Sequence, residues 1–258
     1  MKAINEILNT FEPVSLKEID SVKLMDRTDT KFVFNRSKIP EVLSLITEFY
    51  KVLQIDGKKI SRYKTLYYDT PSFSLYLAHH NGHLNRIKIR HRTYIDSSLG
   101  FLEIKLKTNK ERTIKTRIKQ KETPLSWQTS SIEFIEKSTP FSPEALVPSL
   151  WVNYSRLTFV NKQSAERITI DLGLEFLKNE GVQGFNELVI AEVKQEKKKP
   201  SPFLKIMKQL HIREGFISKY CLGVTVMYPN LKKNNFKSKL LHLNHILYDS
   251  HISFASSR

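Results

Sequence analysis

Arg86-Ile87-Lys88-Ile89-Arg90-His91-Arg92 places a basic residue at every second position, so on an extended strand Arg86, Lys88, Arg90 and Arg92 point to one side. Phe101-Leu102-Glu103-Ile104-Lys105-Leu106-Lys107 puts Glu103, Lys105 and Lys107 opposite Leu102, Ile104 and Leu106, and Thr113 to Lys119 repeats the pattern with Lys115 and Arg117. Farther on, Arg167, Thr169 and Asp171 share one face against Ile168 and Ile170, and Glu192 and Lys194 share another. Rows of like charge on neighbouring strands repel each other, a cost that cross-strand pairing normally avoids. Such rows make sense if an anion neutralises them. Guanidinium forks bind phosphate oxygens bidentately and lysines act as point charges, while Glu103, Asp171 and Glu192 on the same side suit a divalent cation that bridges phosphates. The competing reading is the solvated face of an ordinary antiparallel sheet. Against it, the faces at 86–92 and 113–119 carry no acidic side chain.

The elements that would hold these residues are mostly strands. Lys31 to Phe34 reads as a first strand, and Ser37 caps a helix running to about Tyr50 with Leu43 and Ile46 on its apolar stripe. Arg62 to Tyr68 is rich in aromatic and β-branched residues and ends in the turn residues Asp69-Thr70-Pro71. Helices are expected near 127–136 and from Ser201-Pro202 to about Gly215, with Phe203, Ile206, Met207 and Leu210 inside. Ser218-Lys219-Tyr220 leads into a last apolar stretch ending near Tyr228. A closed barrel of about eight strands has an interior wide enough for one ligand. If the charged rows line such an interior, the fold is α+β: an antiparallel β tunnel barrel of about eight strands, basic inside, with helices packed outside on its apolar face. One domain over 1–258 is expected, its core at about 24–228 and a basic, histidine-bearing C-terminal tail at 229–258.

The 258 residues include 42 Lys+Arg and 26 Asp+Glu, a net charge of +16. That excess fits nucleic acid, an acidic membrane surface, or a nucleotide or polyphosphate. Strand-period placement with no recognition-helix motif disfavours specific nucleic-acid binding. No run is long and apolar enough to span a membrane and the N-terminus lacks a signal-peptide stretch, so a soluble cytoplasmic protein is the expectation. A single cysteine, Cys221, excludes multi-cysteine metal sites and favours Mg2+ or Mn2+ held by oxygen. His79, His80 and His83 read as a loop rim, and the Lys197–Lys199 run as a solvated loop. Cys221 reads as a small buried hydrophobe and Trp127 as a core or capping aromatic.

Arg27-Thr28-Asp29-Thr30-Lys31-Phe32, Leu66-Tyr67-Tyr68-Asp69, Lys88 to Tyr94, Leu102-Glu103-Ile104-Lys105, Thr113 to Arg117, Tyr154-Ser155-Arg156, Arg167 to Asp171, Glu192-Val193-Lys194 and Ser218-Lys219-Tyr220 together resemble the VTC domain. That domain is the catalytic part of the vacuolar transporter chaperone and its bacterial relatives, within the triphosphate tunnel metalloenzymes, also called CYTH-like. The resemblance implies synthesis of polyphosphate from ATP with Mn2+ or Mg2+. It implies that Lys31, Arg90, Arg92, Lys105, Lys115, Arg156, Arg167 and Lys219 hold the triphosphate or growing chain. Tyr154 and Ser218 would add hydroxyl contacts, Lys88, Lys107, Arg117 and Lys194 further charge, and Glu192, with Glu103 beside it, would bind the metal. Tunnel enzymes of the CYTH type open with Glu-x-Glu-x-Lys where this chain has Thr28-Asp29-Thr30-Lys31, which argues against a triphosphatase of that type.

Three functions follow as expectations. The first is an ATP-dependent polyphosphate polymerase, with ATP, triphosphate and polyphosphate as ligands and room for a separate membrane-protein partner. The second is a tunnel hydrolase of triphosphate or nucleoside triphosphate. The third is a non-catalytic polyanion-binding module.

Overall fold

In the computed structural model, residues 2–21, 27–110, 112–124, 126–196, 199–215 and 218–252 are described. Of the residues singled out in the sequence, Lys197, Lys198 and the last six of the tail lie outside these. The strands are β1 (Pro13–Val14), β2 (Arg27–Asn35), β3 (Tyr50–Leu53), β4 (Ser61–Asp69), β5 (Arg86–Tyr94), β6 (Leu99–Lys107), β7 (Thr113–Lys119), β8 (Val147–Asn161), β9 (Glu166–Lys178), β10 (Gly181–Phe185) and β11 (Leu188–Glu196). The helices are α1 (Lys2–Asn9), α2 (Leu16–Ser21), α3 (Ile39–Ile46), α4 (Ser74–His80), α5 (Thr129–Ser138), α6 (Pro202–Gln209), α7 (Lys219–Met227) and α8 (Lys237–Ile252).

All the strands join one 11-stranded sheet whose main path runs β2-β11-β9-β8-β4-β5-β6-β7. The expected closed barrel is not what forms. The two ends of the path, β2 and β7, are not paired with each other, so the sheet stays open, with β1, β3 and β10 as branches. Alternating charge fixes which face a residue takes, but closure needs backbone pairing between the first and last strands, which the face pattern does not encode. β7 is exposed along nearly its whole length, and its Lys115, Arg117 and Lys119 charge that edge.

The apolar back of the sheet is covered by helices, as expected. Phe32, Phe34, Leu157, Phe159, Ile168, Ile170, Val189 and Ala191 pack against α1, α3 and α6. In α3 the spacing of Ile39, Val42, Leu43 and Ile46 makes one apolar stripe, entered through a proline in the first turn. Ser201 caps α6 by accepting from Leu204 N at 3.1 Å, and Phe203, Ile206 and Met207 face the core. A second back-face cluster sets Leu66, Tyr68, Ile89, Leu102 and Ile104 against Ile135 of α5. Trp127 closes it, donating its indole N–H to Pro143 O at 2.8 Å.

The expectation that the helices all lie outside fails for α7. Its Tyr220, Cys221, Leu222 and Val224 pack with Tyr63, Tyr67, Leu150, Val152, Tyr154, Leu174 and Phe176, which belong to the charged face of the sheet. Gly223 permits this approach: a Cβ there would lie 2.3 Å from Leu150 Cδ2 and 2.5 Å from Phe176 Cδ1. The basic tail also folds back, since Phe236 and Leu243 join the same cluster and Asn35 donates to Ile246 O of α8 at 3.0 Å. Among the described residues no helix is long and apolar enough to cross a membrane.

Candidate polyanion site

Cross-strand register gathers the charged rows. Lys88 lies opposite Lys105, which lies opposite Lys115, and Arg90 opposite Glu103. On the other arm Lys31 lies opposite Glu192, Glu192 opposite Thr169, Lys194 opposite Arg167, and Arg156 opposite Asp171. The N-terminus of α7 spans the two arms: Ser218 Oγ accepts from Lys88 Nζ of β5 at 2.8 Å, and Lys219 Nζ donates to Asp171 of β9. The same Ser218 hydroxyl caps the helix by accepting from Cys221 N. Side chains of β2, β11 and β6 lie near enough for Lys31 and Glu192 to act electrostatically on Lys105.

Each of the three carboxylates is held by two cations. Glu103, 1% exposed, pairs with Arg90 at 2.8 Å and with Lys115. Asp171 accepts from Arg156 Nε at 2.6 Å and Nη2 at 2.8 Å, and from Lys219. Glu192 pairs with Lys31, and with Lys194 at 3.9 Å. Burial would raise all three carboxyl groups. The cations override it, holding Glu103 at about 2 through Arg90, Arg92 and Lys115, Asp171 at about 2 through Arg156 and Lys219, and Glu192 far down through Lys194 and Lys31. Among the described residues Lys88, Arg92 and Lys105 have no carboxylate within ion-pair distance, so the face keeps a net positive charge with every carboxylate ionised. Desolvation first, then neighbouring cations, lower Lys105 and Lys115 to about 8. Glu192 and Glu103 offset this only in part, and a bound anion would relieve it further.

Aromatic residues line the same face. Tyr63 and Tyr154 stack with centroids 5.1 Å apart and planes at 2°. Arg92 and Arg156 lie over both rings at 5.3 to 5.9 Å, and Lys219 lies 4.6 Å from the Tyr154 ring. Tyr67 accepts from Arg90 Nη1 at 3.1 Å and stacks on Tyr220, whose hydroxyl donates to Asp69. Asp69 is fully buried and also accepts from the backbone N–H groups of Thr70, Leu75 and Tyr76, which ties β4 and α4 to α7.

Of the residues singled out in the sequence, Lys31, Lys88, Arg90, Arg92, Lys105, Lys115, Tyr154, Arg156, Glu192, Lys194, Ser218, Lys219 and Glu103 meet on this face. Three sit apart from the centre. Arg167 donates to Ile19 O at 2.9 Å, Arg117 lies over Phe101 at 4.5 Å on the exposed edge strand, and Lys107 lies opposite Arg86 at the end of β6. Tyr63, Thr65, Tyr67, Thr169 and Tyr220 were not assigned from sequence. Positions 63, 65 and 67 follow the same period of two as the basic rows, but hydroxyl-bearing and aromatic residues there look like core. The expected loop rim at His79-His80 is corrected: both lie in α4, 8% and 3% exposed, with Cys221 Sγ 3.1 Å from His79 Nδ1. Cys221 itself is buried, as expected.

Among the described residues no group of three or more His, Cys, Asp or Glu side chains could hold a metal ion. The donors that face one another are Glu192 and Thr169, whose Oγ1 is buried without a partner.

A family model described as the VTC domain matches residues 26–228. No curated protein matches the sequence significantly. The fold is similar to that of the PH1819 protein from Pyrococcus horikoshii OT3, at 13% identity and TM-score 0.46, over 78% of this chain and 98% of that one. It is similar to a conserved hypothetical protein from Pyrococcus furiosus, at 11% identity and TM-score 0.43, over 75% and 99%. It is also similar to HpAC1 from Hippeastrum, described as having a dominant triphosphatase activity, at 11% identity and TM-score 0.48, over 78% and 96%.

Proposed function

The chain belongs to the VTC domain family, and from that membership and the surplus of cations on one sheet face we propose that it binds a linear triphosphate and transfers its terminal phosphoryl group, with water as the acceptor. The observation that carries this is the set of Lys88, Arg92 and Lys105, cations without a carboxylate partner among the described residues, beside carboxylates each paired with two cations. A chain of phosphates is the ligand that neutralises such a row along its length. The apolar cluster of α7 against Leu150, Val152 and Phe176 closes one end of the face, which favours a short ligand over a threaded polymer.

Phosphoryl transfer asks the protein for positioning and charge neutralisation, not for a covalent nucleophile. Arg90, Arg92, Arg156 and the lysines do the neutralising, and the carboxylates Glu103 and Asp171 fix the directions of the cations they pair with. Mg2+ and Mn2+ are commonly held by one or two carboxylates plus substrate phosphates. Glu192 lies opposite the Thr169 hydroxyl, which is buried and unpartnered among the described residues, and its second cation, Lys194, is 3.9 Å away; that pair of oxygens fits the donor set better than Glu103 and Asp171, each held closely by two cations. A metal held there would supply positive charge to offset that of the phosphates.

Polyphosphate synthesis from ATP is the second reading. It is favoured by the continuation of charge from Asp171 through Thr169 to Arg167 and Lys194, away from α7 and roughly 13 Å along the strand. Incubating the purified chain with tripolyphosphate or ATP and Mg2+ or Mn2+, and separating products by size, tests both. Orthophosphate release, lost in Arg90→Ala, is the expected result. Long chains from ATP would favour the second reading, and absence of binding or turnover with every metal would overturn both.

A further inference from the structure

Three polar atoms on adjoining strands of the charged face are buried with nothing to hydrogen-bond: Thr65 Oγ1 on β4, Arg92 Nε on β5 and Tyr154 Oη on β8. They belong to one patch. Thr65 lies directly opposite Arg92, and Tyr63, two residues before Thr65 on the same face, lies directly opposite Tyr154. The Arg92 guanidinium lies 5.4 Å from the Tyr63 ring and 5.9 Å from that of Tyr154, so it reaches back across β4 toward β8. Arg92 is only 7% exposed and Thr65 1%, and neither makes a side-chain hydrogen bond or ion pair to any described residue.

Folded chains leave few buried polar groups unpaired, because each one forfeits its bonds to water. Three together, each able to donate, make a set of buried donors suited to acceptor atoms of a ligand. Nor do they satisfy one another, although either hydroxyl could accept from the guanidinium. Phosphoryl oxygens are acceptors, and a hydrogen bond to a charged group is worth more than one between neutral groups. We propose that Thr65 Oγ1, Arg92 Nε and Tyr154 Oη form one floor of donors that seats a single phosphoryl group of the triphosphate, with Thr65 the contact that carries no charge. This rests on the phosphate reading above and adds to it a residue whose type suggests only a buried strand position.

The proposal makes stability and binding move in opposite directions. Thr65→Val keeps the β-branched shape and removes an unpaired hydroxyl, so the ligand-free protein should melt no lower than wild type. Its affinity for inorganic tripolyphosphate, measured by calorimetric titration with and without Mg2+, should fall roughly tenfold or more. Thr65→Ser keeps the hydroxyl and should bind within about threefold of wild type. Equal binding by Thr65→Val and wild type overturns the floor while leaving the functional reading intact. A Thr65→Val protein that melts several degrees lower also overturns it, because the hydroxyl would then have a partner in the free protein. A wild type that binds no tripolyphosphate at all refutes the underlying functional reading instead.

Discussion

Lys105 and Lys115 give the site a pH dependence whose sign and size follow from their surroundings. Desolvation, then Arg90, Lys31 and Lys88, bring Lys105 down to about 8 against partial relief from Glu192. Lys115 sits at about 8 as well, desolvation outweighing its pairing with Glu103. A bound triphosphate adds negative charge beside both and returns them toward the ordinary lysine value of about 10.4. Binding therefore takes up protons between those limits, and affinity falls as pH rises through 8. A group with a free-state value near 8 goes from about nine-tenths to one-tenth protonated between pH 7 and 9, a tenfold loss of affinity for each lysine. Because Lys115 is 39% exposed and Lys105 also reaches water, solvent screening reduces this, and a combined loss of about tenfold is the expectation. Titration calorimetry with tripolyphosphate at pH 7, 8 and 9, in two buffers of different ionisation enthalpy, measures both the affinity and the proton uptake. The ligand's own ionisation works in the opposite direction, so it cannot imitate the effect. Because the ligand's ionisation is common to both proteins, an equal pH slope in wild type and the Lys105→Met/Lys115→Met double variant would refute the reasoning. On the free protein the sign reverses: folded values below the unfolded one mean that stability is gained as pH climbs from about 8 toward 10.4.

Two further outcomes concern α7. Gly223→Ala places a methyl group 2.3 Å from Leu150 Cδ2, which should cost about 1–3 kcal/mol in urea unfolding and, by shifting Ser218 and Lys219, weaken tripolyphosphate binding in the same protein. Tyr220→Phe leaves the fully buried Asp69 short of one donor, a loss of about 1–3 kcal/mol at neutral pH. Burial already raises Asp69, so the deficit should narrow as pH is lowered and the carboxyl protonates; a deficit that widens in acid would contradict that account.

The period of two in the sequence places Lys88, Arg90 and Arg92 on one face, and Ile89 and Leu102 on the other, because side-chain direction along a strand is a local property. Closure was not legible. Whether β2 meets β7 depends on twist and backbone pairing summed over the whole path, and no residue of either strand reports it. The partners of the carboxylates were equally hidden. Glu103 meets Arg90 and Lys115 through register with two different strands, and a one-residue slip in either would have turned its partner away. The stretch around Tyr220 reads as apolar and unplaced because its hydrophobic residues surround the helix axis. Tyr220, Leu222 and Val224 are all buried, with no polar side to show which way the helix faces.

That all-round burial explains how one sheet face can be both charged and apolar. On β8 the face runs from Leu150 and Val152 under α7 to Tyr154 and Arg156, and on β9 from Phe176 and Leu174 to Asp171 and Thr169. The change of character falls where α7 ends, at Ser218 and Lys219, so the helix N-terminus marks the border between core and site. The two halves are coupled physically. The packing of Gly223 on Leu150 and Phe176 sets how close α7 lies, and that in turn sets whether Ser218 can accept from Lys88 and Lys219 can reach Asp171. A site built this way needs no closed barrel to bring the two arms of the sheet to one ligand. The open sheet supplies the rows of charge, and one helix lying on the same face ties β5 to β9 across it through Ser218 and Lys219.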